Sequence, residues 1–223
     1  MIEQEQIKHH IQKHILGVLL HQKCTRFRDL RPSRVDTNLF TYHLKLLQKS
    51  GFVQKTDEGY TLGPRGLEYV DRVNENKLFV RTQPKIVTML VIQNSNGDVL
   101  LQRRLKQPYI DTWTLPYGKL HIEDTSLREA AVREAHEKLG VENAPVEHAG
   151  DCYIYVKNAG EVLSSTLVHV FRFESDAIAE SDTVIWARPH KLAQYDLAPA
   201  VEQIVARTFF RDPFYFEEFP VEW

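Results

Sequence analysis

The chain has 223 residues and a net charge of −2, and it contains no apolar run near the roughly 20 residues that a membrane span needs. Its two cysteines, Cys24 and Cys152, match no disulfide framework or metal-ligand spacing, which favours a reducing cytoplasm. No secretory signal is visible, so we expect a cytoplasmic protein without a membrane partner. The length suffices for two domains.

The charge is divided unevenly along the chain. Residues 1–83 carry 14 Lys and Arg against 9 Asp and Glu, whereas residues 84–223 carry 14 against 21. A basic part before an acidic part indicates different partners for the two. We place the domains at residues 1–80 and 81–223.

The first domain is predicted to contain helices followed by a hairpin. Ile7, Ile11 and Ile15 recur with helical spacing, and Asp36 can cap a later helix that ends near Gly51. The segment FVQKTDEGYTLG then predicts two short strands, and a closing helix follows from Pro64.

This order resembles a winged helix-turn-helix domain of the ArsR/MarR kind over about residues 5–75, through the pattern YHLKLLQKSGFVQK…GYTLGPRG. The resemblance implies that residues 37–49 form a recognition helix, with double-stranded DNA as partner and a homodimer as the assembly. Lysines there would neutralise phosphates, and the other polar side chains would contact base edges. The DNA-binding candidates are Asn38, Thr41, Tyr42, Lys45 and Lys49. The alternative is a dimerisation or docking module, since the acidic turn at Asp57 and Glu58 suits a phosphate backbone poorly.

The second domain is predicted to be rich in strands around one central helix. The predicted strands cover residues 84–94, 98–104, 150–157, 163–173 and part of 183–192, and a last helix covers about 197–209. The central helix begins with a capping box, in which Ser126 and Glu129 cap each other's backbone, and it ends at Gly140.

Two carboxylates on this helix predict a metal site. Glu134 and Glu137 lie about 60° apart around the helix, and they repel each other unless a cation neutralises them. Mg²⁺ or Mn²⁺ suits such a site, because Mg²⁺ binds one or two carboxylates plus substrate phosphates. Arg133 can orient a carboxylate by a bidentate contact. The simpler interpretation is a solvated helix face with ordinary ion pairs.

The segment from Gly118 to Val141, GKLHIEDTSLREAAVREAHEKLGV, resembles the Nudix box in its glycine and its Arg-Glu-apolar-x-Glu core. It departs from the box in two ways. The loop is one residue longer, so that Asp124 is the substitute for the loop glutamate, and Lys138 replaces the last glutamate. The resemblance implies an α/β/α sandwich with a mixed sheet, and hence an α+β chain of two domains.

It also implies a Mg²⁺-dependent hydrolase that cleaves the diphosphate of a nucleoside diphosphate linked to another moiety. Catalysis would use Arg133, Glu134, Glu137 and Asp124, with metal on Glu134 and Glu137 only. Substrate would contact Arg103, Arg104, Gly118, Lys119 and Lys138.

Two alternatives to a hydrolase remain. The chain could be a transcriptional regulator that uses a catalytically weakened Nudix-like domain as a sensor of a nucleotide-type ligand, which Lys138 favours. It could also be a scaffold with neither activity, which the retained Arg133, Glu134 and Glu137 argue against. The tail at residues 209–223 carries seven aromatic residues, and we expect it to pack across the domain boundary or a dimer interface.

Overall fold

The computed structural model describes residues 7, 9–73, 83–209 and 214–222. The chain divides into two compact units, residues 1–82 and 83–223. The boundary predicted between residues 80 and 81 lies outside the described residues. No helix in the described part of the chain is long and apolar enough to cross a membrane.

The first unit has helices α1 (His10–Leu20), α2 (Phe27–Leu30) and α3 (Thr37–Lys49), strands β1 (Val53–Lys55) and β2 (Tyr60–Leu62), and helix α4 (Pro64–Arg72). β1 and β2 form an antiparallel hairpin. Asp36 caps α3, as predicted, by accepting hydrogen bonds from the backbone of Asn38 and Leu39 at 2.8 and 3.1 Å. The apolar sides of α1 and α3 meet in one buried core with Phe52 and Val53.

Gly66 in α4 lies where no side chain fits. A Cβ there would come within 2.0 Å of the backbone oxygen of Phe52, which already accepts a hydrogen bond from Gly63. Alanine usually stabilises a helix relative to glycine by up to about 1 kcal/mol. We expect Gly66→Ala to do the opposite and to destabilise the unit by about 1–3 kcal/mol, since the backbone must shift.

Denaturant unfolding of the full chain, followed by circular dichroism, would measure this effect. The three tryptophans all lie after residue 83, so their fluorescence would not report on the first unit. Leu67→Ala at the neighbouring exposed position is the control, with an expected change below about 0.5 kcal/mol. A Gly66→Ala chain as stable as the wild type would contradict the packing argument.

The second unit is a mixed sheet with a helix on each face. Its strands are β3 (Lys85–Gln93), β4 (Val99–Arg103), β5 (Trp113–Thr114), β6 (Tyr117–Lys119), β7 (Glu147–Asn158), β8 (Glu161–Glu174), β9 (Val184–Ala187) and β10 (Tyr215–Glu222). Its helices are α5 (Leu127–Leu139) and α6 (Val201–Phe209), with a short 3₁₀ segment at Pro189–Gln194.

The strand order is β10-β7-β8-β3-β4-β5, with β6 paired to β3 and β9 paired to β4. β3 runs parallel to β8, and β10 runs parallel to β7, while the other pairs are antiparallel. Alternate residues of β3 enter different cores: Met89 packs on the side of α6 and Leu90 on the side of α5. The predicted strand-rich unit around a central helix is therefore confirmed.

The aromatic tail contains a strand that was not predicted. Its described part forms β10 within the sheet of the second unit, where Tyr215, Phe219 and Val221 pack against the core on the α6 side. Tyr215 lies over Gly150, where a Cβ would come within 2.5 Å of its ring. Residues 210–213 and 223 of the tail lie outside the described residues.

Candidate functional site

Helix α5 begins and ends as predicted. The hydroxyl of Ser126 accepts a hydrogen bond from the backbone N–H of Glu129 at 3.1 Å, and Gly140 ends the helix with φ 69°. The glutamate half of the capping box differs by one residue, because Glu129 accepts from the N–H of Thr125 and not from that of Ser126. This cap fixes the loop that precedes the helix against its first turn.

Arg133 is the centre of the candidate site. Its guanidinium donates to both oxygens of Asp124 at 2.9 and 2.8 Å. It also donates to Glu134 at 2.7 Å and to Glu137 at 3.4 Å, and to the backbone oxygen of Lys119 at 3.2 Å. One side chain thus holds the loop, the strand β6 and the helix in a fixed arrangement.

This arrangement shifts the ionisation of both partners. Hydrogen bonds from Arg133, the larger cause, and from the backbone N–H of His121 together lower the pKa of Asp124 to about 2. Asp124 raises the pKa of Arg133 in return. The side chain of Asp124 is only 7 % exposed, and this pairing stabilises its charged form. Asp124 therefore braces Arg133 from the loop that precedes α5.

Glu134 is buried against Gly118 of β6. Its side chain is 5 % exposed, and a Cβ on Gly118 would lie 1.7 Å from its carboxyl carbon. The glycine is therefore required for the carboxylate to sit against the backbone of β6. Glu137, by contrast, is 51 % exposed and free to turn toward a ligand.

Lys138 points back into the site. Its Nζ lies 3.6 Å from Oε2 of Glu134 and 5.4 Å from the centre of the Tyr117 ring. Since Arg133 contacts Oε1 of the same glutamate, both carboxylate oxygens of Glu134 face a cation from the chain itself. The ammonium of Lys138 therefore occupies space beside the carboxylate that a metal would bind.

A cavity opens next to β6 on the α6 side of the sheet. Arg104 lies over the rings of Tyr109 and Tyr117, at 5.8 and 5.4 Å from their centres, and donates to the Tyr117 hydroxyl. The floor is apolar, and the polar and aromatic lining consists of Lys85, Arg104, Tyr109, Thr114, Tyr117, Ser164 and Thr166. Burial lowers the pKa of Lys85, and nearby Lys119 and Arg104 lower it further. Two aromatic rings beside two cations suit a ligand with a flat ring and phosphates.

The structure brings most of the predicted site residues together. Those in or beside the cluster around Arg133 are Asp124, Glu134, Glu137, Lys138, Gly118 and, through its backbone oxygen, Lys119. Arg104 lines the cavity, whereas Arg103 lies apart and pairs with Asp111 at 2.9 Å.

Lys85 and Tyr109 line the cavity but were not singled out in the sequence. Tyr109 lies in the loop between Arg104 and Trp113, and its hydroxyl lies 2.8 Å from that of Ser164. No local pattern marks such a residue, because the contact joins positions far apart in the chain.

The predicted DNA-binding residues lie along α3 in the first unit. Asn38, Tyr42, Lys45 and Lys49 are exposed. Thr41 is half-buried, and its hydroxyl donates to the backbone oxygen of Thr37 at 2.7 Å. Four of the five candidates are thus available to an external ligand.

Comparison with known proteins agrees with this fold and site. A family model described as the NUDIX domain matches residues 83–208, and the chain belongs to this family. The CTP pyrophosphohydrolase of Escherichia coli (strain K12) is 30% identical over 115 residues, which are 51% of this chain and 83% of the relative. The uncharacterized Nudix hydrolase YfcD of the same strain is 29% identical, over 56% of this chain and 76% of the relative.

Solved structures show the same fold at lower identity. The MutT protein from Bacillus halodurans matches with a TM-score of 0.51 and 18% identity, over 62% of this chain and 90% of that one. The NUDIX domain of Shewanella oneidensis NrtR, complexed with ADP ribose, matches with a TM-score of 0.50 and 21% identity, over 65% of this chain and 97% of that one. The predicted Nudix resemblance is therefore confirmed.

Proposed function

We propose that the second unit is a metal-dependent hydrolase of a nucleoside diphosphate linked to another moiety. The observation that carries this proposal is the single cluster in which Arg133 holds Asp124, Glu134 and Glu137 together, next to a cavity with two tyrosines and two cations. A structural ion-pair network would not need this adjacent cavity.

Each residue has a distinct task in this proposal. Glu134 and Glu137 hold Mg²⁺ or Mn²⁺, which when bound polarises a phosphoryl oxygen and lowers the pKa of an attacking water. Arg133 fixes the direction of the Glu134 carboxylate, and Asp124 fixes Arg133. Arg104 and Lys85 would hold the phosphates.

The carboxylates fit such a cation only when Lys138 moves. Glu137 is half exposed and Glu134 offers Oε2, which satisfies the one or two carboxylates that Mg²⁺ needs beside substrate phosphates. An ammonium this close to a divalent cation costs Coulomb energy. The side chain of Lys138 is long and partly exposed, so it can turn outward and contact a substrate phosphate.

Turnover of a defined set of compounds would test the hydrolase. The purified full chain would be assayed with Mg²⁺ or Mn²⁺ on ADP-ribose, NADH, dinucleoside polyphosphates and nucleoside triphosphates including CTP. We expect hydrolysis of one class, lost at least a hundredfold in Glu137→Gln and retained in Arg128→Gln, an exposed position on the same helix. Hydrolysis that is unaffected by Glu137→Gln would contradict the site assignment.

Lys138→Glu separates the two interpretations of the lysine. This substitution restores the last glutamate of the box and removes the competing ammonium. For a hydrolase that tolerates Lys138, we expect turnover at low Mg²⁺ to rise about tenfold or more, because a carboxylate replaces a cation at the metal. A fall in turnover would instead assign Lys138 to the substrate phosphate.

The second candidate is a transcriptional regulator whose NUDIX domain senses a nucleotide-type ligand. Lys138 favours it, because its ammonium already neutralises Glu134 at 3.6 Å without any metal. In this proposal the first unit is a winged helix-turn-helix domain, supported by the order of its helices and hairpin and by the exposed lysines of α3. A ligand would regulate DNA binding only if its affinity differs between the DNA-competent and incompetent states.

DNA binding would be tested by selection from a random duplex library and then by fluorescence anisotropy. We expect the double variant Lys45→Gln, Lys49→Gln to weaken binding and to reduce the salt slope by about two. Lys13→Gln on α1 is the control. Thermal stabilisation by ADP-ribose without turnover, together with altered DNA affinity, would favour the regulator. No binding to any duplex would remove DNA as a partner.

A further inference from the structure

A second cluster of metal-ligating side chains lies on the α5 face of the sheet. His148 and Asp151 on β7 and His169 on β8 each offer one ligand atom, and these atoms all lie within 4.8 Å of one another. Oδ1 of Asp151 lies 2.9 Å from Nε2 of His148 and 2.7 Å from Nδ1 of His169. The catalytic proposal uses none of these three residues.

A β-bulge creates this cluster. In β7, His148 pairs with Phe171 and Gly150 pairs with Val170, so Ala149 is an extra residue without a partner on β8. Residues three apart point to opposite faces of a regular strand. The extra residue reverses this relation, so that His148 and Asp151 lie on the same face. His169, which pairs directly with Asp151, lies on that face too.

Aromatic neighbours hold the imidazole of His148. The ring of His148 is stacked on Phe171, with centres 4.6 Å apart, and the ring of Phe214 is perpendicular to it, with centres 5.0 Å apart. The side chains of His148, Asp151 and His169 are 31, 22 and 13 % exposed. The cluster is thus ordered but open enough for an ion to enter and to keep a water ligand.

We propose that His148, Asp151 and His169 bind Zn²⁺. Two imidazole nitrogens and one carboxylate oxygen match the donors that Zn²⁺ prefers, with a fourth position open, whereas Mg²⁺ prefers oxygen alone. Tetrahedral ligands of Zn²⁺ lie about 3.3 Å apart. The present hydrogen bonds are slightly shorter than this, so small side-chain rotations around Asp151 admit the ion.

The zinc site is separate from the cluster around Arg133. Thr88 on β3 pairs with Gly118 of β6 on one side and with His169 of β8 on the other. Two strand spacings, about 10 Å, therefore separate the backbone of Gly118 from that of His169. The zinc proposal does not depend on whether the chain is a hydrolase.

Metal titration of the full chain would test the zinc site. After treatment with a chelator, the protein would be titrated with Zn²⁺ by calorimetry and with Co²⁺ by visible absorption. We expect one equivalent of Zn²⁺ to bind and the Co²⁺ complex to show the intense bands of low coordination number. Each of His169→Gln, Asp151→Asn and His148→Gln should weaken binding at least tenfold.

Two controls make the result specific. His136→Gln, at an exposed position on α5, and Glu137→Gln should both bind Zn²⁺ like the wild type, while His169→Gln should keep any Mg²⁺-dependent turnover. Circular dichroism would show whether each variant folds. If His169→Gln does not fold, His148→Gln, at the most exposed of the three ligands, is the variant that decides the test. Absence of Zn²⁺ binding, or equal binding by wild type and all three ligand variants, would overturn the proposal.

Discussion

Replacing Arg133 by glutamine is expected to destabilise the second unit by about 3 kcal/mol. The substitution leaves Asp124 and Glu134, 7 and 5 % exposed, without their main cationic partner, and removing one partner of a buried ion pair typically costs 3–5 kcal/mol. Lys138 still lies near Glu134, which keeps the loss at the low end. Denaturant unfolding followed by tryptophan fluorescence would measure it, since all tryptophans lie after residue 83.

The pH dependence of this loss distinguishes charge from packing. The folded pKa of Asp124 is about 2, against an ordinary value of 3.8. A depressed carboxyl pKa adds stability that is fully present above the unfolded pKa and is lost as the pH falls through the folded one. The difference between wild type and Arg133→Gln should therefore be largest above about pH 4 and shrink toward pH 2. The exposed Arg128→Gln should change stability by less than about 0.5 kcal/mol. A difference that stays constant down to pH 2 would refute the electrostatic explanation.

Gly118→Ala is expected to displace Glu134 and so to lower metal-dependent turnover about a hundredfold. The new methyl group would overlap the carboxylate, whose carboxyl carbon lies 1.7 Å from the Cβ position. Because the carboxylate is the end of a side chain, it can move, but it then loses the contacts with Arg133 and Lys138. We expect a loss of about 1–3 kcal/mol in stability as well.

A double-mutant cycle would show that the effect acts through Glu134. Truncation in Glu134→Ala removes the group that Gly118→Ala overlaps, so the double variant should be more stable than the sum of the single losses predicts, by at least about 1 kcal/mol. Arg128→Ala, at an exposed position on α5, is the control for an alanine substitution outside the site. Additive losses in the cycle would mean that the methyl group disturbs the strand and not the carboxylate.

The site could be predicted from the sequence where the signal is local. Ser126 and Gly140 bound α5 as predicted, since capping depends on residues within one turn. The helical period also placed Arg133, Glu134, Glu137 and Lys138 close together. The residue roles in catalysis stay predictions that the proposed assays address.

The features that could not be predicted from the sequence depend on the pairing of strands that are far apart in the chain. Arg103 and Arg104 are adjacent, and only the register of the sheet decides which one faces the cavity. The bulge at Ala149 likewise appears only when β7 is paired with β8. The tail was not predicted as a strand because its aromatic and acidic residues do not alternate and a proline interrupts them. Parallel pairing with β7 makes it one.

Strand β10 also has a consequence for how the molecule is made. Residues 215–222 leave the ribosome after every other strand of their sheet, yet they cover the outer edge of β7 from Gly150 to Lys157. Until they arrive, a newly synthesised chain presents an unpaired edge of eight residues to other chains. Chains that are truncated before residue 215 would thus aggregate, even though they contain both helices of the sandwich and the whole candidate site.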